Sequence, residues 1–480
     1  MKTRAKSHIL LVISGLALAT APGYAQTDGP LPISWQMAYG AGKTASLGSA
    51  VPYDFVQTAD GGFLLAGSTD GPANGIRTEP ICGLYDAWVI KIDAQGQRLW
   101  DKSYGGESND GPMRILLNPD GGYLLAGLSY YSPAGCLKTA GAKTYPGYAD
   151  YWVVRCDAEG NALWDKSYLP EGTVWSWPNE YEQTPDGSII ACGHGYFPQS
   201  VYYEIFKLDP EGQQLWSTRL GCPIIPTPSS SYTRPQRVRE TPDGGFIVAA
   251  ANGEQPCPPY KTSPSYGGSN GYMGSDVWVV RVDAQGNQLW DQSYGGTNTE
   301  LATDLHLTSD GGYVVFGSSR SLPAANASKG TKTSRCYGNM DYWIIRIGAQ
   351  GEQLWDKSYG GGSHDVLTYA EPMPDGGWLL CGQSASSPHP EGGKTAPKFG
   401  SWDFWILRLD EQGNRLWDQS FGGTAMEGFD WIPEGPPWLM RAVIKHTADG
   451  GFLLTGTSKS PVSGTKTAPL IGLSDYWVLK

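Results

Sequence analysis

Short apolar runs, each opened by a turn, recur along most of this chain. FLLAG follows Asp60-Gly61-Gly62, and YLLAG follows Asp120-Gly121-Gly122. The unit returns at Asp186, Asp243, Asp310, Asp375 and Asp449, giving seven copies spaced 57 to 74 residues apart. A second pattern is a hairpin, DAWVIKIDAQGQRLWDKSYGG from Asp86. Further copies start at Asp150, Asp276, Asp341 and Asp403, with a degenerate YYEIFKLDPEGQQLW at Tyr202 and a closing DYWVLK at Asp475. Each repeat therefore reads as four strands: one before the Asp-Gly-Gly turn, the apolar run after it, the DYWVVR segment, and LWDKSY. The Asp-Ala-x-Gly between the last two suits a turn with glycine in the left-handed conformation.

Four antiparallel strands repeated seven times predict an all-β, seven-bladed propeller. A solenoid would need polar capping repeats, which the sequence does not supply. The last repeat lacks its fourth strand, while Ile33 to Gly40 (ISWQMAYG) is a fourth strand without a repeat. Its Trp35 matches Trp100, Trp164, Trp216, Trp290, Trp355 and Trp417. The two ends are therefore expected to complete one blade and hide the sheet edges of an open array.

Composition agrees. Gly reaches 65 of 480 residues and only 17% are charged, which excludes disorder and helical bundles. Seven Trp fall on fourth strands and six on third strands (Trp88, Trp152, Trp278, Trp343, Trp405 and Trp477), so these thirteen are packing residues. The third-strand cations Lys91, Arg155, Lys207, Arg281, Arg346, Arg408 and Lys480 also recur in every repeat. They are expected to pair with fourth-strand acids such as Asp101 and Asp165.

The first 25 residues read as an export signal: Lys2, Arg4 and Lys6, then an apolar stretch from Ile9 to Ala21, then Gly23-Tyr24-Ala25. Residues 26–480 form a single propeller domain in this reading. Removal of the signal takes the formal charge from −12 to −15. Such an acidic chain is a poor nucleic-acid binder, and no later apolar run is long enough to enter a membrane. An exported monomer, periplasmic or at the cell surface, is expected.

These motifs resemble a family of secreted repeat proteins common in Bacteroidetes-type bacteria, over residues 33 to 480. Its units read like DGGYLLAG, a Gly-rich loop with Lys-Thr, then DYWVVKLDAxGNxLWDKSYGG. The Lys-Thr pair is read here at Lys143-Thr144, Lys332-Thr333, Lys394-Thr395 and Lys466-Thr467. The resemblance implies a secreted propeller and little chemistry. Many members end in a C-terminal sorting domain, whereas this sequence ends on a third strand. DAQGNQLW at Asp283 also looks like the docking motif of quinoprotein propellers, without a cluster of cofactor ligands. Sialidase boxes place Gly two residues after Asp, and Gly286 is three after Asp283.

Candidate chemistry lies where the repeats break down. Residues that recur in every blade are accounted for by packing. Trp175 and Trp177 are expected before the first strand of repeat three, and Trp431 and Trp438 in an insertion of repeat seven. Off-pattern aromatics of this kind suit sugar or peptide stacking. Repeat three carries Glu204 where other repeats have Trp. These five are the candidate ligand-binding residues, on the face that bears the long loops. Asp110, Glu300, Asp365 and Glu427 each follow a Gly-Gly by four residues and could ring the channel mouth, where a cation such as calcium would be held. Their alternative is to accept backbone hydrogen bonds at the turn. No other cofactor is expected. Cys222 with Cys257 and Cys82 with Cys136 are the expected disulfides, each joining loops of one face. Cys156, Cys192 and Cys381 lie in strands and are expected to be buried. The histidines have no metal spacing, and no catalytic triad or paired catalytic carboxylate can be identified. The leading functional reading is a non-catalytic binding or adhesion propeller for a glycan or protein ligand. A glycan-active lyase or hydrolase is the first alternative, and a quinoprotein-like redox enzyme the second.

Overall fold

Alternating turns and apolar runs build seven four-stranded antiparallel sheets in a computed structural model, arranged as a seven-bladed β-propeller. The structure describes residues 31–41, 48–74, 76–130, 137–144, 148–197, 200–224, 234–253, 255–267, 274–326, 329–389, 391–428 and 442–480. Blade one consists of Ala50–Gln57, Phe63–Thr69, Asp86–Ile92 and Arg98–Tyr104 in spatial order from first strand to fourth. Blades two to six follow within residues 110–168, 175–224, 234–294, 300–359 and 365–421. Among the described residues, helix is confined to the 3-10 turn Ala324–Asn326, and no helix is long and apolar enough to cross a membrane.

The two middle strands of blade one are buried along their whole length, so both faces of the sheet pack on neighbouring blades. Val314 and Phe316 of blade five share one core cluster with Leu380 and Trp405 of blade six. The Asp-Gly-Gly turn is tight because Gly61 adopts φ +82°, a conformation that costs other residues a steric clash. Its Asp60 accepts the Gly62 amide at 2.9 Å.

The third-strand cations do not pair with fourth-strand acids, contrary to the expectation from sequence. Each pairs with the acid of its own Asp-Gly-Gly turn: Lys91 with Asp60, Arg155 with Asp120, Lys207 with Asp186, Arg281 with Asp243, Arg346 with Asp310, Arg408 with Asp375 and Lys480 with Asp449. Strand pairing places Lys91 opposite Leu64, next to that turn.

The fourth-strand acids have other partners. In blade five, Asp356 accepts the Trp343 indole at 2.8 Å, the Thr333 amide at 3.0 Å and the Ser334 amide at 3.0 Å. Lys332 reaches Ser358 of the same strand at 2.7 Å. Lys-Thr is thus a latch that ties the loop between strands two and three to the outermost strand. In blade two this latch is Lys138-Thr139, with Thr139 on Asp165, not Lys143-Thr144. The Lys143 amide bonds Asp150, and Thr144 bonds the Val174 carbonyl. Arg77-Thr78 and Lys261-Thr262 fill the same place in blades one and four.

Fourth strands also lock successive blades. A Cβ on Gly160, in the blade-two hairpin turn, would lie 3.0 Å from the Trp100 ring of blade one. Gly212 meets Trp164, Gly286 meets Trp216, Gly351 meets Trp290, and Gly413 meets Trp355 in the same way. Tyr104 adds a hydrogen bond to the Gly160 carbonyl at 2.6 Å. The likeness of DAQGNQLW to a docking motif is therefore a packing device of this fold.

Blade seven joins the ends as expected. Gln36–Tyr39 pairs antiparallel with Asp475–Leu479, with Gln36 opposite Leu479 and Tyr39 opposite Tyr476. Gln36 takes the place of the latch acid, accepting the Trp477 indole at 3.0 Å and the Thr467 amide at 2.9 Å. Leu31 exchanges two hydrogen bonds with Gln419 of blade six. Two outcomes follow. Deleting Ile33 to Gly40 should destabilise the protein by more than about 4 kcal/mol and expose the 475–479 edge to self-association; an unchanged melting temperature with a monomer in analytical ultracentrifugation would refute the closure. Asp356→Ala should cost about 3 kcal/mol in chemical denaturation, because it strands the Trp343 indole and two amides.

Candidate functional site

Reading back six residues from each Asp-Gly-Gly acid gives a column that the repeat does not conserve. Asp54, Arg114, Glu180, Arg237 and Asp304 occupy this register in blades one to five, with Tyr369 and Val443 in blades six and seven. A register shift precedes each of the first six; bulges of this kind re-aim a side chain. Their side chains join across the propeller axis. Arg114 lies 3.5 Å from Asp54 and donates to Glu180 at 2.6 Å. Arg237 donates to the same Glu180 oxygen at 2.7 Å and to Asp304 at 2.8 Å. Lys445 of blade seven bonds Asp54, and both Arg237 and Lys445 lie over the Tyr369 ring, at 5.8 and 6.0 Å. The circle is thereby closed through six blades.

A second tier lies two residues further along each first strand: Val56, Leu116, Glu182, Arg239, His306, Glu371 and Lys445. Arg239 pairs with Glu182 and, at 3.2 Å, with Asp304. His446 meets Glu371 at 2.8 Å. Burial works against ionisation of Asp54, but Lys445 and Arg114 outweigh it and hold the carboxyl below its usual range. Asp304 is lowered likewise, against burial, by His306, Arg239 and Arg114. The two tiers border a cavity of about 320 Å³ lined by Asp54, Val56, Arg114, Leu116, Glu180, Glu182, Arg239 and Lys445, among others. None of these residues was singled out from sequence. The signal was present as an alternation of charge in one column, upstream of the motif on which the repeats were aligned.

Blade three holds the other off-pattern cluster. Trp175 and Trp177 do not precede its first strand. They open it, opposite Tyr196 and His194, within Trp175–Gln183. Trp175 is sandwiched between Tyr148 and Tyr196, with centroids at 5.7 and 5.6 Å and ring planes 11° and 4° apart. Tyr148 is 43% exposed. His194 meets the Trp175 ring edge-on at 5.9 Å. Trp177 instead turns inward against the core cluster of Tyr181 and Phe206. Glu204 is fully buried and accepts from Thr173 at 2.6 Å and Ser176 at 2.8 Å. Gly195 leaves room for it, since a Cβ there would lie 2.0 Å from the carboxylate. Burial lifts Glu204 to about 7, against those hydrogen bonds and the charge of Arg219.

Trp431 and Trp438 lie outside the described residues. Asp110, Glu300, Asp365 and Glu427 are buried in their own blades. Each accepts the second amide of the preceding Gly-Gly, from Gly106, Gly296, Gly361 and Gly423 at 2.7 to 3.1 Å. Among the described residues no group of three or more His, Cys, Asp or Glu could hold a metal. Cys156, Cys192 and Cys381 are buried free thiols, all raised by burial, and Cys336 is free and half-buried. Cys82 and Cys257 are disulfide-bonded. Cys136 and the side chain of Cys222 are outside the described residues.

No protein-family model matches the chain. A 152-residue stretch is 28% identical to the regulatory protein FlaEY of Caulobacter vibrioides, covering 31% of this chain and 16% of that protein. Among solved structures, a puromycin hydrolase aligns with a TM-score of 0.36 at 13% identity, over 88% of this chain and 60% of its own. A polysaccharide lyase described as an ulvan lyase aligns at 0.44 and 11%, over 92% and 95%. The Synechocystis apocarotenoid oxygenase aligns at 0.40 and 13%, over 90% and 89%. At such scores these likenesses carry no statement about what this chain does.

The buried acids set a pH response. Burial raises Glu204 and Glu300 to about 7, and Asp86, Asp150, Asp276 and Asp341 to about 6. A carboxyl raised in the folded state contributes stability below its ordinary range and loses it as pH climbs through the folded value. The melting temperature should therefore fall between about pH 4 and about pH 7, with each group adding up to about 1.4 kcal/mol per pH unit. Glu300→Gln should flatten that fall in scanning calorimetry, whereas an unchanged slope would refute the assignment.

Proposed function

We propose that the protein is an exported binding propeller that recognises a glycan on its long-loop face, at the aromatic stack of blades two and three. The observation that carries this reading is the parallel stack Tyr148–Trp175–Tyr196. None of the three belongs to the repeat, so the blade does not require them. Tyr148 offers a flat, half-exposed ring face of the kind that packs on the C–H face of a sugar, with Trp175 holding it rigid from behind. Catalysis on a bound glycan is a second reading, favoured by His194 beside the stack in the blade that also buries Glu204. The two loop disulfides, Cys82–Cys136 and Cys222–Cys257, belong to the same proposal of export.

A glycan array probed with the full chain tests this, followed by a turnover assay on any bound glycan. Tyr148→Ala and Trp175→Ala should each weaken binding by about 1–3 kcal/mol while the circular dichroism spectrum is kept. An array without hits, or binding untouched by both substitutions, overturns the proposal. Product release from the glycan would move the protein to the second reading.

A further inference from the structure

We propose that the axial cavity is a second binding site, specific for a small zwitterion of the α-amino acid type. The charges that line it are not required to close the ring. Blade seven holds Val443 and blade six Tyr369 in the register where blades one to five hold Asp54, Arg114, Glu180, Arg237 and Asp304. Apolar residues therefore suit this position in the same fold, and replacing buried ion pairs by apolar side chains is often neutral or stabilising. A charged set at such a position, around open volume, is the pattern of a recognition site.

The cavity's chemistry identifies the ligand class. Its volume of about 320 Å³ lies at the lower end of the range of small-molecule pockets, roughly 300–1,000 Å³. Its charged walls balance: Arg114, Arg239 and Lys445 against Asp54, Glu180 and Glu182. A simple anion or cation gains nothing net from such a lining, whereas a molecule carrying both charges can address each. The acids Glu180 and Glu182 both come from blade three, and the cations come from blades two, four and seven. The two charges of the ligand would thus be read by different blades. Arg239, Glu182 and Lys445 keep 17%, 22% and 20% of their side-chain surface accessible, unlike Asp54 and Glu180, which are buried beneath them. In the outer tier Val56 and Leu116 replace charge with an apolar wall, which would receive an apolar side chain. Guanidinium groups match a carboxylate in two-pronged geometry, and the blade-three carboxylates match an ammonium.

Isothermal titration calorimetry of the full chain against the free L-amino acids, with acetate, methylamine and inorganic phosphate alongside, tests this. At least one amino acid with an apolar side chain should bind with a Kd below about 10 mM, more tightly than acetate, methylamine or phosphate. Val56→Phe fills the cavity without touching a charge and should weaken that binding at least about tenfold. Lys445→Met should do the same. If Lys445→Met fails to fold by circular dichroism, Val56→Phe decides. No heat from any amino acid, equal or tighter binding of acetate, methylamine or phosphate, or binding unaffected by Val56→Phe would each overturn the assignment.

Discussion

In five of the seven blades the outermost strand is held by one carboxylate, Asp101, Asp165, Asp291, Asp356 or Asp418, and much of the architecture follows from it. Asp356 and its counterparts accept a tryptophan indole from the neighbouring strand and two amides from the Lys-Thr loop. Satisfying a charged acceptor with several donors is worth more than neutral hydrogen bonds of the same number. It fixes the fourth strand against the third and draws the long loop back along the blade. With the strand in place, its Trp and Tyr reach the turn of the next blade, so the same element that closes one sheet orients its neighbour. In blade seven the amide of Gln36 replaces the acid, and the latch survives because a carbonyl oxygen can accept from the same donors.

Two kinds of charge serve different ends. The third-strand cations pair with half-exposed acids of the Asp-Gly-Gly turns, where solvent leaves such pairs worth about 1 kcal/mol or less. They recur because each turn needs its acid oriented. The axial charges are buried, do not recur, and alternate in sign from blade one to blade five. Their partners sit one blade away in space and about 60 residues away in sequence, as Arg114 and Glu180 do. Such a circuit links neighbouring blades at the axis, while the tryptophans set their order and spacing at the rim.

The two off-pattern regions differ in what they offer a ligand. At blade three, aromatic rings stack at the end of a strand and present one face outward, with a buried acid beneath. At the axis, charged groups surround a cavity and already satisfy one another. The first suits a polymer lying on a surface, the second a small molecule seated in an open pocket between several blades. Glu204 links the first region to the fold: it takes the position of a packing Trp, and the glycine opposite makes room for it.

The repeat count, the four strands, their order and the joining of the termini could all be read from sequence, because each depends on local alternation and turn chemistry that every copy repeats. The partners of the recurrent side chains could not. Lys91 and Asp101 are ten residues apart and look like a pair, yet pairing across strands two and three puts Lys91 beside Asp60. The Lys-Thr pair of blade two reads from sequence as Lys143-Thr144, but the loop closes on Lys138-Thr139, since nothing local distinguishes two Lys-Thr pairs before Asp165 is in place. The axial ring was hidden for the same reason. Its members sit in one column of the sequence, but attraction between Asp54, Arg114, Glu180 and Arg237 exists only after seven first strands have been brought side by side around an axis. Local pattern determined the blades; the closing of the ring decided which charges meet.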